Sequence, residues 1–110
     1  MSRDIPERDW KKLRSLTDAA INTACERIFQ KIEKLMDSRG AESHKYYIKL
    51  WKVMREQDKE ISQMFDDLKR SNAILKLSVW KKNGILSDEN FKEFSEETQK
   101  RIESICNIER

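Results

Sequence analysis

His44 is the only histidine in the chain, and Cys25 and Cys106 are the only cysteines. A histidine acting as a base needs a nucleophile within reach and a third group to hold the imidazole. Nothing near His44 suggests that arrangement, and a place in the first turn of a helix suits a solvated or capping residue. Zinc sites use Cys and His in closely spaced pairs, which one histidine and two distant cysteines do not supply. A helical di-iron site would need Glu-x-x-His twice, and the chain has none. Phosphate loops need clustered glycines, but Gly40 and Gly84 stand alone. Paired carboxylates occur at Asp66-Asp67, Asp88-Glu89 and Glu96-Glu97, each beside an expected helix start. There an acidic side chain stabilises the helix dipole by a few tenths of a kcal/mol, which accounts for them without catalysis. The expectation is a protein that is not an enzyme and has no cofactor and no metal.

Basic side chains carry the other candidate chemistry. Lys45, Lys49, Lys52 and Lys59 recur at helical spacing and share one side of one element. Lys11, Lys12 and Arg14 cluster earlier, and Lys69, Arg70, Lys81 and Lys82 flank a later segment. A nucleic acid backbone needs a sustained positive surface. Here Glu56 and Glu60 interrupt the lysine side, and the net charge is only +3. Residues 66–84 carry five basic and two acidic groups, whereas 85–110 carry four basic and seven acidic, so an acidic tail can fold against a basic patch. The segment Asp88 to Phe94, the recognition helix of any helix-turn-helix, is itself acidic and would be repelled by DNA. Nucleic acid binding through Lys45, Lys49 and Lys52 is therefore the second reading, not the first.

The elements that position these residues follow from composition and periodicity. With 110 residues the chain has the length of one domain, spanning 1–110. It has 39% charged and 37% hydrophobic residues, a balance suited to amphipathic helices with solvated outer faces. The near balance of charge, with Trp10, Trp51 and Trp80 present, argues against disorder. Two glycines and one proline are too few for a β-rich domain. No apolar run reaches the roughly 18 residues that span a bilayer, and Met1 to Pro6 has no apolar signal core, so a cytoplasmic protein with free thiols and no membrane contact is expected.

A first helix is expected from the Asp4 cap and Pro6 in the first turn, with Glu7 and Asp9 set to favour its dipole. Its stripe runs through Trp10, Leu13, Ala20, Ile21, Ala24, Ile28, Ile32 and Leu35, and Gly40 stops it. Some thirty residues make a rod of roughly 45 Å. A compact domain of this size is about 30–35 Å across, so the rod overhangs or is covered by a second copy. A homodimer is the expectation.

A second helix is expected from Ser43 to Phe65, its stripe carrying Tyr46, Tyr47, Leu50, Val53, Met54, Ile61 and Met64. Ile48 lies nearly opposite that stripe and Trp51 at its edge, so both are candidates for an interface. Ala20 and Ala24, small enough for close approach, are the candidates on the first helix. Ser71 or Asn72 is expected to cap a third helix that is apolar nearly all round, with Ala73, Ile74, Leu77 and Trp80 on one face and Leu75 and Val79 on another. Asn83-Gly84 turns the chain, Ser87 caps a short helix and Ser95 caps the last. The expected fold class is all-α: two long antiparallel helices, a central apolar helix and one or two short C-terminal helices.

The stretch Leu75-Lys76-Leu77-Ser78-Val79-Trp80-Lys81-Lys82-Asn83-Gly84-Ile85-Leu86-Ser87-Asp88-Glu89-Asn90-Phe91 resembles the helical hairpin called the SHOCT module, with Asn90 where that family has glutamate. The resemblance covers 75–91 and implies a role in oligomerisation or partner contacts. The opening Asp4-Ile5-Pro6-Glu7-Arg8-Asp9-Trp10 and the closing Phe94-Ser95-Glu96-Glu97-Thr98 resemble short bacterial proteins without an assigned activity. Together these features lead to a small helical module that binds a protein partner, whose identity the residues leave open, and that associates with itself.

Overall fold

The computed structural model describes residues 4–108; Met1 to Arg3, part of the segment inspected for a signal core, lie outside the described residues. Five α-helices follow in order: α1 (Glu7–Ser38), α2 (Ser43–Phe65), α3 (Ala73–Lys82), α4 (Asp88–Lys92) and α5 (Glu96–Ile108), with a 3₁₀ turn at Arg70–Asn72 before α3. There is no strand among the described residues. The first stripe is one uninterrupted rod, as its periodicity requires, and α2 returns antiparallel beside it. Gly40, at φ 51°, makes the reversal. The molecule measures 59 × 24 × 22 Å with a radius of gyration of 16.8 Å. A compact chain of this length would have about 13 Å, so the hairpin of α1 and α2 projects well beyond the body.

The body is built where the hairpin's open end meets α3, α4 and α5. Its core joins Trp10 and Leu13 of α1, Met64 of α2, Ala73, Ile74, Leu77 and Trp80 of α3, and Leu86, Phe91, Phe94 and Ile102 beyond. Trp80 is fully buried; its indole N–H donates to the Met64 carbonyl at 2.9 Å and its ring lies 5.3 Å from that of Phe65. Helix α3 packs on α1, α2 and α5, so the central position expected of it is realised. Its apolar circumference is not fully covered, however: Val79 is half-buried and Leu75 remains 51% exposed.

Three capping assignments change. Pro6, not Asp4, is the N-cap of α1, one position before the first turn, and it has no side-chain capping hydrogen bond. The Pro6 carbonyl accepts from the Asp9 and Trp10 amides, both at 2.9 Å. Asn72 is the N-cap of α3 but its side chain faces backwards: Oδ1 accepts from the Lys69 amide and Nδ2 donates to the Asp67 carbonyl, bracing the connection from α2. Asp9 does not merely complement the α1 dipole. It is fully buried and serves α5, as described below. The caps at Ser87 and Ser95 form as their sequence positions require, accepting from the Asn90 amide at 3.1 Å and the Thr98 amide at 3.3 Å.

Helix α3 ends in a Schellman turn. The Ile85 amide reaches back to the Trp80 carbonyl at 2.8 Å and the Gly84 amide to Lys81 at 3.1 Å, with Gly84 at φ 69°. The Arg27 guanidinium donates to the carbonyls of Asn83 and Gly84, pinning this turn against α1. A Cβ at Gly84 would sit 3.4 Å from Arg27 Nη1, the movable end of a long side chain. Gly84→Ala should therefore cost about 1 kcal/mol, mostly from the left-handed backbone. Urea unfolding measures it, and an unchanged or raised midpoint would contradict this account of the turn.

Candidate functional site

Burial falls away along the hairpin. From Cys25 to Gln63 no residue is buried, although Ile28, Ile32, Leu35, Tyr46, Leu50 and Val53 line the seam between the helices. Two helices share only one seam, so each seam residue is covered on one side and wetted on the other. Of the large hydrophobic residues left exposed, Phe29, Met36, Tyr47, Ile48, Trp51 and Met54 belong to this part of the hairpin, at 42–61% exposure.

Helical geometry places these side chains together. At 100° per residue, Phe29 and Met36 lie about a quarter-turn from the seam on α1. Tyr47 and Met54 lie the same angle from the seam on α2, and because the helices are antiparallel both offsets fall on the same side of the hairpin. A groove of about 320 Å³ opens on that side, lined by Ile32, Leu35 and Met36 from α1 and Tyr46, Tyr47 and Leu50 from α2, with Arg39 and Ser43 at its end by the reversal. Tyr47 and Trp51 meet edge to face, with centroids 6.5 Å apart, which extends the apolar surface around α2 toward Ile48. The opposite opening of the seam, nearer the body, is mixed: Arg27, Lys31, Gln57 and Glu60 line it together with Ile28, Ile61 and Ile85.

The four interface candidates thus separate. Ile48 and Trp51 are 54% and 55% exposed on the apolar tip. Ala20 and Ala24 are 7% and 4% exposed and belong to the chain's own core. Leu86 lies in the same core cluster as both, and Ile85 packs against that cluster, so the close packing that the small side chains of Ala20 and Ala24 permit is internal. They are corrected from interface residues to packing residues. Phe29, Met36, Tyr47 and Met54 are the further large apolar side chains left exposed on the hairpin, Tyr47 and Met54 despite their place on the apolar stripe of α2.

The lysines lie on the reverse side of the tip. Lys49 Nζ sits 4.5 Å from the Tyr46 ring centroid and Lys45 Nζ 6.0 Å from it, while Lys45 also pairs with Glu42 at 3.4 Å. Lys52 follows one turn on and is exposed. Lys31 and Lys34 of α1 point to the same side by helical phase. Residues 28–54 contain six Lys and Arg against three Asp and Glu, so the chain's net +3 is matched by the tip alone. The tip therefore has an apolar side and a basic side.

One cluster superficially resembles catalytic machinery. Asp9 Oδ1 accepts from the Ser95 amide at 3.0 Å, and Oδ2 accepts from the Ser95 and Thr98 hydroxyls, each at 2.6 Å. Loss of hydration acts most strongly and raises the carboxyl's pKa. The two hydroxyls, the Ser95 amide and the charge of Arg8 outweigh it and hold the carboxyl below its ordinary value. Both hydroxyls are spent on a carboxylate that is closed off from solvent, so the cluster fastens α1 to the start of α5. Arg8, donating to the Glu93 carbonyl at 3.0 Å, and Lys12, paired with the Glu93 carboxylate, reinforce the same junction. His44 is exposed in the first turn of α2. No group of three or more His, Cys, Asp or Glu among the described residues is arranged to hold a metal ion, and no described helix is long and apolar enough to cross a membrane. Residues 75–91 fold as helix, turn and helix with Leu77, Trp80, Leu86 and Phe91 buried. Comparison of the chain with family models, with curated proteins and with solved structures found no match.

Proposed function

We propose that this chain is a protein-interaction module and not an enzyme, and that it works by laying the apolar side of its hairpin tip against a helical surface of another protein. The observation that carries this is the concentration of exposed Phe29, Met36, Tyr47, Ile48, Trp51 and Met54 on a projecting two-helix hairpin. Three of the six are aromatic, and at over half exposure they present on the order of 300 Å² of apolar surface before the aliphatic residues are added. That is already the scale of the largest patch on an ordinary monomer. Aromatic and methionine side chains are also the types enriched at protein interfaces. A cytoplasmic setting, in which Cys25 and Cys106 stay as thiols, belongs to the same proposal. Within the SHOCT-like stretch Leu75 is the exposed large apolar side chain, so an apolar partner contact there would centre on it.

The test is a photo-crosslinking amino acid placed at 48 and at 51, with Glu103, exposed on α5, as control. Protein adducts from 48 and 51 but not from 103 are expected. Their absence, both in cells and in the purified protein, would end the reading.

A second reading rests on the basic side of the tip. Lys45, Lys49 and Lys52 there would contact nucleic acid phosphates, and such contacts weaken steeply as salt rises. It is established if RNA or DNA binds at low salt and Lys45→Gln/Lys49→Gln/Lys52→Gln abolishes that binding. No binding at low salt removes it.

A further inference from the structure

The apolar side of the tip has a shape, an extent and a pair of charged margins, and together these select among possible occupants. Its shape is that of half a four-helix bundle: two antiparallel helices with one exposed face and a groove along the seam. A matching hairpin laid face to face would cover both seams at once, giving Ile32, Leu35, Tyr46 and Leu50 the second layer of neighbours they lack. Phe29, Met36, Tyr47, Trp51 and Met54 add their exposed area to the half-covered seam on this face, as the core of an interface requires. A self-complementary patch closes about a two-fold axis and leaves no surface for further addition.

The margins set the orientation. Beside Phe29 and Met36, the outer edge of α1 carries Glu26, Glu33 and Asp37 and no basic residue. Beside Tyr47 and Trp51, the outer edge of α2 carries His44 and Arg55, with Asp58 nearer the body. Glu26, Glu33, Asp37 and Arg55 make no ion pair among the described residues. If α1 packed on α1 of a second copy, the two acidic edges would meet, six carboxylates in all. If α1 packs on α2, each acidic edge meets an edge whose Arg55 and Asp58 balance, and the six carboxylates are kept apart. Like charges placed opposite one another across an interface are unfavourable and discriminate strongly between registers.

We infer that the occupant of the apolar face is a second copy of this chain, lying alongside the first with both tips at the same end, so that α1 of each packs on α2 of the other. This rests on the interaction reading above and names its partner. The two basic sides then face outward on opposite flanks of the bundle, where their lysines stay hydrated and apart. Tyr47, which lines the groove, and Trp51, which meets the Tyr47 ring edge to face at the rim, are the aromatic pair whose loss costs most, because aromatic side chains dominate such interfaces.

Sedimentation of the full chain should show a dimer, and Trp51→Glu should weaken it by about 30-fold or more. Tyr47→Glu should do the same, and circular dichroism should show unchanged helix content because both positions are exposed. In a background with Cys25 and Cys106 replaced by serine, chains carrying Glu26→Cys are mixed with chains carrying Arg55→Cys, two positions at the same depth along the hairpin, and treated with a short bifunctional thiol reagent. The mixed product is expected. A predominant product of Glu26→Cys with itself means α1 on α1 and overturns the inference, as does a dimer indifferent to both glutamate substitutions. A strict monomer also overturns it; if photo-crosslinks from 48 and 51 then reach a different protein, the interaction reading stands without the dimer. A strict monomer without such crosslinks removes both.

Discussion

Trp80→Ala lowers the folding stability by about 3–5 kcal/mol, the loss expected for removing a fully enclosed indole. The body has few residues to absorb it. Trp80 lies where α3 meets Met64 and Phe65 at the end of α2, with the Schellman turn folding back onto its carbonyl. Its removal leaves a large cavity and takes the indole donor from the Met64 carbonyl. Domains of this size are stable by only about 5–15 kcal/mol, and here all of the buried core sits in the body. The variant should be partly or wholly unfolded at 37 °C, with the loss read from urea denaturation followed by circular dichroism. Trp80→Phe, which keeps the ring but not the donor, should fall between. A shift under about 1 kcal/mol for the alanine variant would mean that α3 is not the keystone described.

Asp9→Ala should cost on the order of 3 kcal/mol, an unusual loss for a carboxylate in the first turn of a helix. The substitution withdraws the acceptor from three donors at once, the Ser95 amide and the Ser95 and Thr98 hydroxyls, in a place from which water is shut out. Asp9→Asn keeps the shape and one acceptor oxygen, so it should lose less. The pH dependence has a definite sign. The folded carboxyl titrates below its unfolded value, so the folded state binds fewer protons than the unfolded state in that range. Its contribution is complete above the ordinary aspartate value of about 3.9 and is lost as pH falls through the lower folded value. The stability difference between wild type and Asp9→Asn should therefore be flat from pH 7 to 5 and shrink below pH 4. A difference that stays constant into acid would show that Asp9 is not ionised in the folded protein.

These expectations bear on the function through the division of the molecule. The body holds α1 and α2 at one end only, through Trp80, the Asp9 junction and the Arg27 clasp on the Schellman turn. The projecting end keeps its helical form through its own backbone bonds and a half-covered seam. Substitutions in the body should thus unfold the chain, whereas substitutions at Tyr47, Ile48 or Trp51 should alter association and leave the fold intact.

Helical content, the places where helices stop and the length of the first rod were all legible in the residues, because each depends on local chemistry. Apolar spacing marked α1 and α2 and located the start of α2 at Ser43; glycine positions marked the reversals at Gly40 and Gly84; Ser87 and Ser95 announced their helices. Periodicity also singled out Ile48 and Trp51, since a large apolar residue off the main stripe is visible without knowing its neighbours. What depends on contacts distant in sequence was hidden. Asp9 and Ser95 are 86 positions apart, and nothing in the first turn of α1 distinguishes a carboxylate that serves its own dipole from one that fastens another helix. Ala20 and Ala24 met the requirement for close approach, but only the path of the turn after α3 decided that the approach is made from within. Tyr47 and Met54 belong to the stripe by phase, yet a stripe is buried only as far as there are elements to cover it. The three helices that could do so gather at one end, and the rest of the face is left exposed.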